Sequence, residues 1–210
     1  MTEGPTLQGS AHPLASALIG AVPSGARVLL LGVGSGRHIP PLLEAGFHVD
    51  AVEDDRARAE AAVARFADDP RVRIARPPDD GTLPFDAVYD GALATHALLH
   101  GTPDRIAASL AAVAARLRPN APFHLTLGSR NDPRFANGIA LDEATRVTTE
   151  GAEAGIPHAY FDEAGARLLL ADWAILALEE RSAAATAGRW AHAPSELATM
   201  VHWFARVARP

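Results

Sequence analysis

The sequence predicts a doubly wound, mostly parallel α/β sheet. Three observations carry that expectation. An apolar run at residues 28–31 enters three alternating glycines, Gly32, Gly34 and Gly36, and then a stretch of helical spacing. A second apolar run ends in an acid, Glu53, about seventeen residues after Gly36. Beyond it, short apolar runs keep alternating with helical patterns, which is the mark of repeated strand–helix–strand units.

Each element follows in turn. Leu14, Leu18 and Ile19 recur at helical spacing over residues 12–21, and Pro23-Ser24-Gly25 ends that helix. Residues 28–31 read as a buried strand. Residues 37–45 read as a helix with Ile39, Leu42 and Leu43 inward and Gly46 as its stop; Pro40 and Pro41 fit only its first turn. Residues 49–53 form the second strand, 56–66 an Ala-rich helix, and 72–75 a short third strand. Residues 77–81 are a turn, and a fourth strand is expected to begin at 87–89. A strong helix covers 103–117, its apolar face Ile106, Leu110, Val113 and Leu117, and Arg118-Pro119-Asn120 closes it. Residues 123–127 make the fifth strand. The alternation then breaks: residues 128–159 are polar and without a period, and a stretch that long inside a compact domain reads as a functional, lid-like insertion at about 128–160. A helix at 162–170 starts on an Asp cap. Two last strands at 173–179 and 202–208 are joined by an Ala-rich connector. The whole, residues 1–210, reads as one domain.

Composition narrows the function. The 210 residues hold 48% hydrophobic and 21% charged residues, a globular balance. No apolar run has the roughly 18–20 residues of a membrane span, and no secretory signal is visible at the start, so a cytoplasmic setting is expected. Cysteine is absent, which removes disulfides, thiolate nucleophiles and cysteine zinc sites. Lysine is absent too, so Schiff-base chemistry and a P-loop lysine are excluded within this chain. The net charge is −6 with scattered arginines, whereas a nucleic-acid binder more often carries a basic stripe. The sequence thus points to no nucleic acid and no membrane, and to a small-molecule partner.

Ligands of such sheets sit at the carboxyl ends of the strands, where the strand order reverses. Topology brings there Gly32 to Gly36, Glu53, Asp79 or Asp80, residues 90–100 and Gly128-Ser129. A dinucleotide loop wants G-x-G-x-x-G, and its third glycine would fall at Arg37. This chain has G-x-G-x-G. That spacing suits a ligand that meets the loop with carboxylate and amino groups and carries no diphosphate. Glu53 suits a ribose, since one carboxylate can accept from both hydroxyls.

At this point the residues reach a resemblance. LLLGVGSGRH, HVDAVE, FDAVYD and LRPNAPFHLTL, in that order, resemble the class I S-adenosylmethionine-dependent methyltransferases. The segments ATHALLHG, GSRNDPRF and GIPHAYF look like a subgroup, the small bacterial methyltransferases of the tellurite-resistance type and their uncharacterised relatives. The resemblance implies a Rossmann-like seven-stranded sheet with a reversed last strand, S-adenosyl-L-methionine as methyl donor and a small-molecule acceptor. It matches Gly32, Gly34 and Gly36 to the loop against the cofactor's methionine part, and Glu53 to the ribose acid. Asp79 matches the acid that reads the adenine amino group, being four residues before Leu83-Pro84-Phe85; the same segment also aligns with Asp80-Gly81 as a plain turn. Asp90 matches the strand end beside the cofactor. One departure stands out: the family commonly has an acid two places before the first glycine, and here that place is Leu30. Another acid, such as Glu53 or Asp90, would have to compensate, or the chain is a non-catalytic or regulatory S-adenosylmethionine-binding descendant.

Methyl transfer from a sulfonium is an in-line displacement that needs alignment and exclusion of water, with a base only where the nucleophile must lose a proton. His96, His100 and His158 are the candidates for that base or for substrate contact. His96 and His100, four apart, would share a helical face; no third ligand is evident beside them, and no metal is expected. Arg134 and Tyr160 are the candidate substrate contacts, and Tyr160 equally suits a staple on the following helix.

Overall fold

The structure is a computed structural model that describes residues 11–78, 81–151, 153–182 and 199–210. Its elements run α1 (Pro13–Ala21), β1 (Arg27–Leu31), α2 (Ile39–Glu44), β2 (His48–Val52), α3 (Arg56–Arg65), β3 (Val72–Ala75), β4 (Gly91–Ala94), α4 (Pro103–Arg116) and β5 (Pro122–Ser129). Then come α5 (Pro133–Asn137), β6 (Ile139–Ala140), β7 (Thr145–Val147), β8 (Pro157–Phe161), α6 (Glu163–Leu169), β9 (Ala174–Ser182) and β10 (Val201–Ala208).

Seven strands form the main sheet in the order β3-β2-β1-β4-β5-β10-β9. The first five are parallel, and β10 runs antiparallel to both β5 and β9. The reversed last strand is therefore present. The chain winds outward from β1 to β3, then returns to lay β4 on the other side of β1. That reversal makes the switch point between β1 and β4, the place where sheets of this kind bind ligands at the carboxyl ends of their strands.

Alternate residues of each strand feed two apolar layers. On one face Leu29, Leu31, Phe123, Leu125 and Leu127 pack with Ile106, Leu110 and Val113 of α4. On the other, Val28, Leu30, Val49 and Leu93 pack with Leu14 and Leu18 of α1, Ile39 and Leu42 of α2 and Ala62 of α3. Fully burying each of the larger aliphatic side chains contributes about 1.5–3 kcal/mol. Helix starts follow local chemistry: Thr102, Asp55 and Asp162 cap α4, α3 and α6, each accepting from the backbone N–H three residues on.

Two elements differ from the sequence reading. β4 begins at Gly91 rather than in residues 87–89, because Tyr89 bridges Leu117 at the end of α4 instead of joining β1. Residues 128–160 are not structureless. β8 joins the main sheet, pairing parallel with β5 at Gly128–Tyr160 and Ser129–Phe161, and β7 and β6 extend it antiparallel. Since β10 lines one edge of β5 as far as Gly128, β8 occupies the β4 side, prolonging the sheet where β4 stops. Gly128 permits this: a Cβ there would lie 2.3 Å from the Ala159 carbonyl oxygen. The short, polar strands of the insertion alternate too few residues for a period to register.

Candidate functional site

The glycine loop leaves β1 with Gly32, Gly34 and Gly36 all at positive φ, at 76°, 54° and 78°. The three do different things. A Cβ on Gly32 would meet the Cβ of Ala97 at 2.7 Å, and one on Gly36 would meet the Phe66 ring at 3.0 Å. Those two let protein close on protein. A Cβ on Gly34 would have nothing within 4 Å, so its backbone faces open space.

Glu53, at the end of β2, braces this loop. Its Oε2 accepts from the Gly34 N–H at 2.8 Å and its Oε1 from the Asp55 N–H at 3.1 Å. The residue is 5% exposed. Each carboxylate oxygen has two lone-pair sites, so the brace leaves one on each for a diol. Leu30, at the place of the family's acid, is fully buried among Val28, Leu14 and Leu93, on the α1 face. The acid that holds this loop therefore comes from the neighbouring strand.

Asp90 is not at this end of the sheet. It precedes β4, where its carboxylate accepts from the Arg27 N–H at 2.9 Å and from Arg118 Nε at 2.7 Å. Arg27 opens β1, so Asp90 ties together the amino ends of the strands, and its assignment to the cofactor end is corrected. The carboxyl end of β4 is instead Thr95 and His96. Asp79 lies outside the described residues.

His96 follows β4 in the left-handed region, φ 55°, with its N–H donated to Thr126 Oγ1 at 2.7 Å. A non-glycine residue at such φ costs of order 1–3 kcal/mol and is held only by its surroundings. Its ring is 5.3 Å from that of His12 and 4.8 Å from that of His202, both edge-on, and His12 is 6.5 Å from His38. Burial is the main reason these imidazoles stay neutral. It drives His12 and His38 down to about 3 and His202 to about 4, helped by Arg37 beside the first two and Arg134 beside the third. His96 is pushed well below its ordinary value by burial and by His202. His12 uses Nδ1 to accept from Leu14 N–H, capping α1 at 3.1 Å.

From His202 a polar chain continues into the insertion. Arg134 NH2 lies 3.2 Å from His202 Nε2. Arg134 also grips Asp132 through Nε and NH2 at 2.9 and 3.0 Å, and reaches Glu153 Oε2 with NH1 at 3.3 Å. Burial would raise the Asp132 carboxyl, but hydrogen bonds from Arg134 outweigh it and hold the pKa below the usual carboxylate value. Four of the five Arg134 N–H groups are therefore committed to protein, and it is an organiser of the insertion rather than an open substrate clamp. Tyr160 is buried with its hydroxyl unpartnered among the described residues, and burial raises its pKa to about 12, so it remains a donor.

The sequence pairing of His96 with His100 does not survive. His96 joins the inner cluster with His12 and His202, while His100 packs at 4.8 Å against His158. His158 engages Ile156 O with Nδ1 and Glu153 with Nε2, so neither ring nitrogen is free for substrate. Sequence reasoning missed His12, His38, His202 and Glu153. The available signal was the count: nine histidines, of which six fall in these two clusters.

No protein-family model matches the chain, and no curated protein matches it. Solved structures do. A S-adenosylmethionine-dependent methyltransferase from Methanosarcina mazei superposes with a TM-score of 0.72 at 14% identity, covering 95% of this chain and 98% of that one. The chain has the class I methyltransferase fold. Within that methyltransferase fold it is also similar to the 1,6-didemethyltoxoflavin N1-methyltransferase of Burkholderia thailandensis, solved with 1,6-didemethyltoxoflavin and S-adenosylhomocysteine bound. There the TM-score is 0.65 at 24% identity, over 94% of this chain and 76% of that one. The same methyltransferase fold is shared by the [4+2]-cyclase SpnF, with a TM-score of 0.64 at 15% identity over 94% and 80% of the two chains. The narrower resemblance to the tellurite-resistance type rests on the sequence segments alone.

Proposed function

We propose that this chain transfers a methyl group from S-adenosyl-L-methionine to a polar small-molecule acceptor. The observation that carries the reading is the Glu53 carboxylate held against Gly34 at the switch point, with open space in front of Gly34 and lone pairs left on both oxygens. A ribose diol fits those lone pairs, and backbone at Gly34 fits an approach no side chain would allow. The toxoflavin enzyme, with a small heteroaromatic substrate and the demethylated cofactor bound, supports the same reading.

When bound, S-adenosylmethionine supplies a methyl already activated on a sulfonium. The chain's own residues then have to align and dry the site. Glu53 holds the ribose and fixes the loop. His96, beside the glycine loop through Ala97, accepts a hydrogen bond from the acceptor's N–H or O–H and orients it toward the methyl group. Burial keeps this imidazole neutral, so no cation is set against the sulfonium, and the depressed pKa limits its part to orientation. Tyr160 donates from its hydroxyl to a polar group of the acceptor. Its place on β8, with Arg134 at the head of the insertion, makes residues 128–160 the unit that shapes the acceptor pocket.

The test is calorimetric titration with S-adenosylmethionine and S-adenosylhomocysteine, then transfer of labelled methyl to a panel of N–H and O–H acceptors. No binding of either sinks the proposal. A second reading, a binding module or non-methylating enzyme that keeps the cofactor, is favoured by Leu30 in place of an acid and by the cyclase that shares the fold. Cofactor binding without transfer across the panel would select it.

A further inference from the structure

Beyond the inner histidines, the insertion holds a second constellation. His100 ends the loop after β4, His158 lies on β8, and Glu153 sits in the turn between β7 and β8. His100 Nε2 is 3.2 Å from Glu153 Oε1, and His158 Nε2 is 3.1 Å from Glu153 Oε2. One ligand atom from each of the three lies within 4.8 Å of the others.

The orientation of His158 is the telling feature. Its Nδ1 lies 2.8 Å from the Ile156 carbonyl oxygen, which can only accept, so Nδ1 carries the hydrogen. The Nε2 of that tautomer turns its lone pair toward a carboxylate oxygen 3.1 Å away. Two lone pairs at that distance require a positive charge between them. An Nδ1–H given to a backbone carbonyl is also the arrangement that aims an imidazole Nε2 at a metal. The separations of 3.2 and 3.1 Å run to different oxygens of the one carboxylate, so Glu153 faces both imidazoles at once.

The scaffold is fixed before any ligand arrives. His100 and His158 form an antiparallel bridge, flanked by Gly101 N–H to Pro157 O at 2.7 Å and Ala159 N–H to Leu99 O at 2.9 Å. The Glu153 turn closes through Ile156 N–H to Glu153 O at 3.1 Å and Gly155 N–H to Thr148 O at 2.9 Å. Arg134 NH1 lies 3.3 Å from Glu153 Oε2, and its charge is matched by Asp132, which it holds through two parallel bonds. Glu153 is 17% exposed and His100 33%, so the site opens on the His100 side.

We propose that His100, Glu153 and His158 bind one first-row divalent metal ion of the Zn2+ class, through two imidazole Nε2 atoms and a carboxylate. Three protein ligands leave a coordination position open, as in catalytic rather than structural zinc sites. The ion pins the insertion to the loop after β4, with the partly exposed His100 on its open side. The nitrogen donors select Zn2+, Co2+ or Ni2+ over Mg2+ or Ca2+. Methyl transfer need not involve this ion, so the two proposals stand or fall apart.

The experiment is titration of the untagged, chelator-stripped full chain with Co2+ and then Zn2+. The expected result is one Co2+ per chain with the strong visible ligand-field absorption of a low-coordinate site, displaced by one equivalent of Zn2+. The melting temperature should rise by about 5 °C or more with Zn2+ and not with Mg2+. His100→Gln, at a partly exposed position, and Glu153→Gln, of unchanged shape, should each weaken Co2+ binding at least tenfold while unfolding cooperatively. Absence of saturable Co2+ or Zn2+ binding by the wild-type chain overturns the proposal and leaves an ion pair with a protonated His158. Binding of unchanged affinity in both variants overturns it equally, since the ion is then held elsewhere.

Discussion

The backbone N–H of Gly34 donates to the side chain of Glu53 at 2.8 Å, so the glycine loop after β1 is held by an acid from β2. The loop and the carboxylate that we propose binds the ribose diol are one mechanical unit. A disturbance of either alters the other, and affinity for the nucleoside should respond to both.

Glu53→Ala removes the acceptor for the Gly34 and Asp55 N–H groups along with the ribose partner. S-adenosylhomocysteine should bind at least tenfold more weakly, the scale of one charge-assisted hydrogen bond of about 1.5–3 kcal/mol. Glu53→Gln keeps one acceptor oxygen and should fall between. A dissociation constant within twofold of wild type, by calorimetry, would detach Glu53 from the cofactor.

Gly32 and Gly34 should separate under substitution. Gly32→Ala drives a Cβ into Ala97 at a left-handed backbone, so strain and overpacking together should cost about 2–4 kcal/mol in urea unfolding. Gly34→Ala carries the backbone strain alone, about 1 kcal/mol, yet projects its methyl into the open approach and should lose more ligand affinity. The opposite ranking in stability would mean that the space before Gly34 is filled.

The buried histidines should set an acid limit on stability. His12 and His38 are depressed to about 3 and His202 to about 4, from an ordinary value near 6.5. Below pH 6.5 the unfolded chain binds protons that the fold refuses, so stability is full above that pH and declines as pH falls, until the folded values are reached. Each such group contributes up to about 1.4 kcal/mol per pH unit. Thermal melts between pH 7 and pH 4.5 should therefore fall steeply, and a His12→Gln, His202→Asn double variant should flatten the slope. Equal slopes for the two proteins would show that these rings titrate normally in the fold.

His96→Asn tolerates the left-handed backbone and keeps the N–H to Thr126, but lacks the imidazole. With an N–H or O–H acceptor, kcat should drop about tenfold, the scale of one lost orienting hydrogen bond, while S-adenosylhomocysteine affinity stays within about threefold. An unchanged kcat would reduce His96 to a packing role.

Much of the fold was legible because its signals are local. The period of Ile106, Leu110 and Val113 announces α4, and the glycine spacing announces the β1 turn with its acid one strand away. Asp90 misled because a carboxylate near a strand carries no mark of which end it occupies; only the register of β4 against Arg27 decides it. The histidine clusters were illegible for a related reason. His12 and His202 come from opposite ends of the chain, and His100 meets Glu153 across 53 residues, so no spacing rule connects them. Leu30 shows the reverse: its departure from the family pattern was visible at once, but the bond from Gly34 to Glu53 needed the neighbouring strand.

Gly128 has one more consequence. The hydrogen atom in place of a side chain lets β8 bond directly into β5, so the insertion is continuous with the sheet it borders. These backbone hydrogen bonds anchor the β8 end of the insertion to the sheet. If residues 128–160 shape the acceptor pocket as we propose, exchanging side chains on β8 should change the molecule accepted and leave the hold of Glu53 on the glycine loop intact.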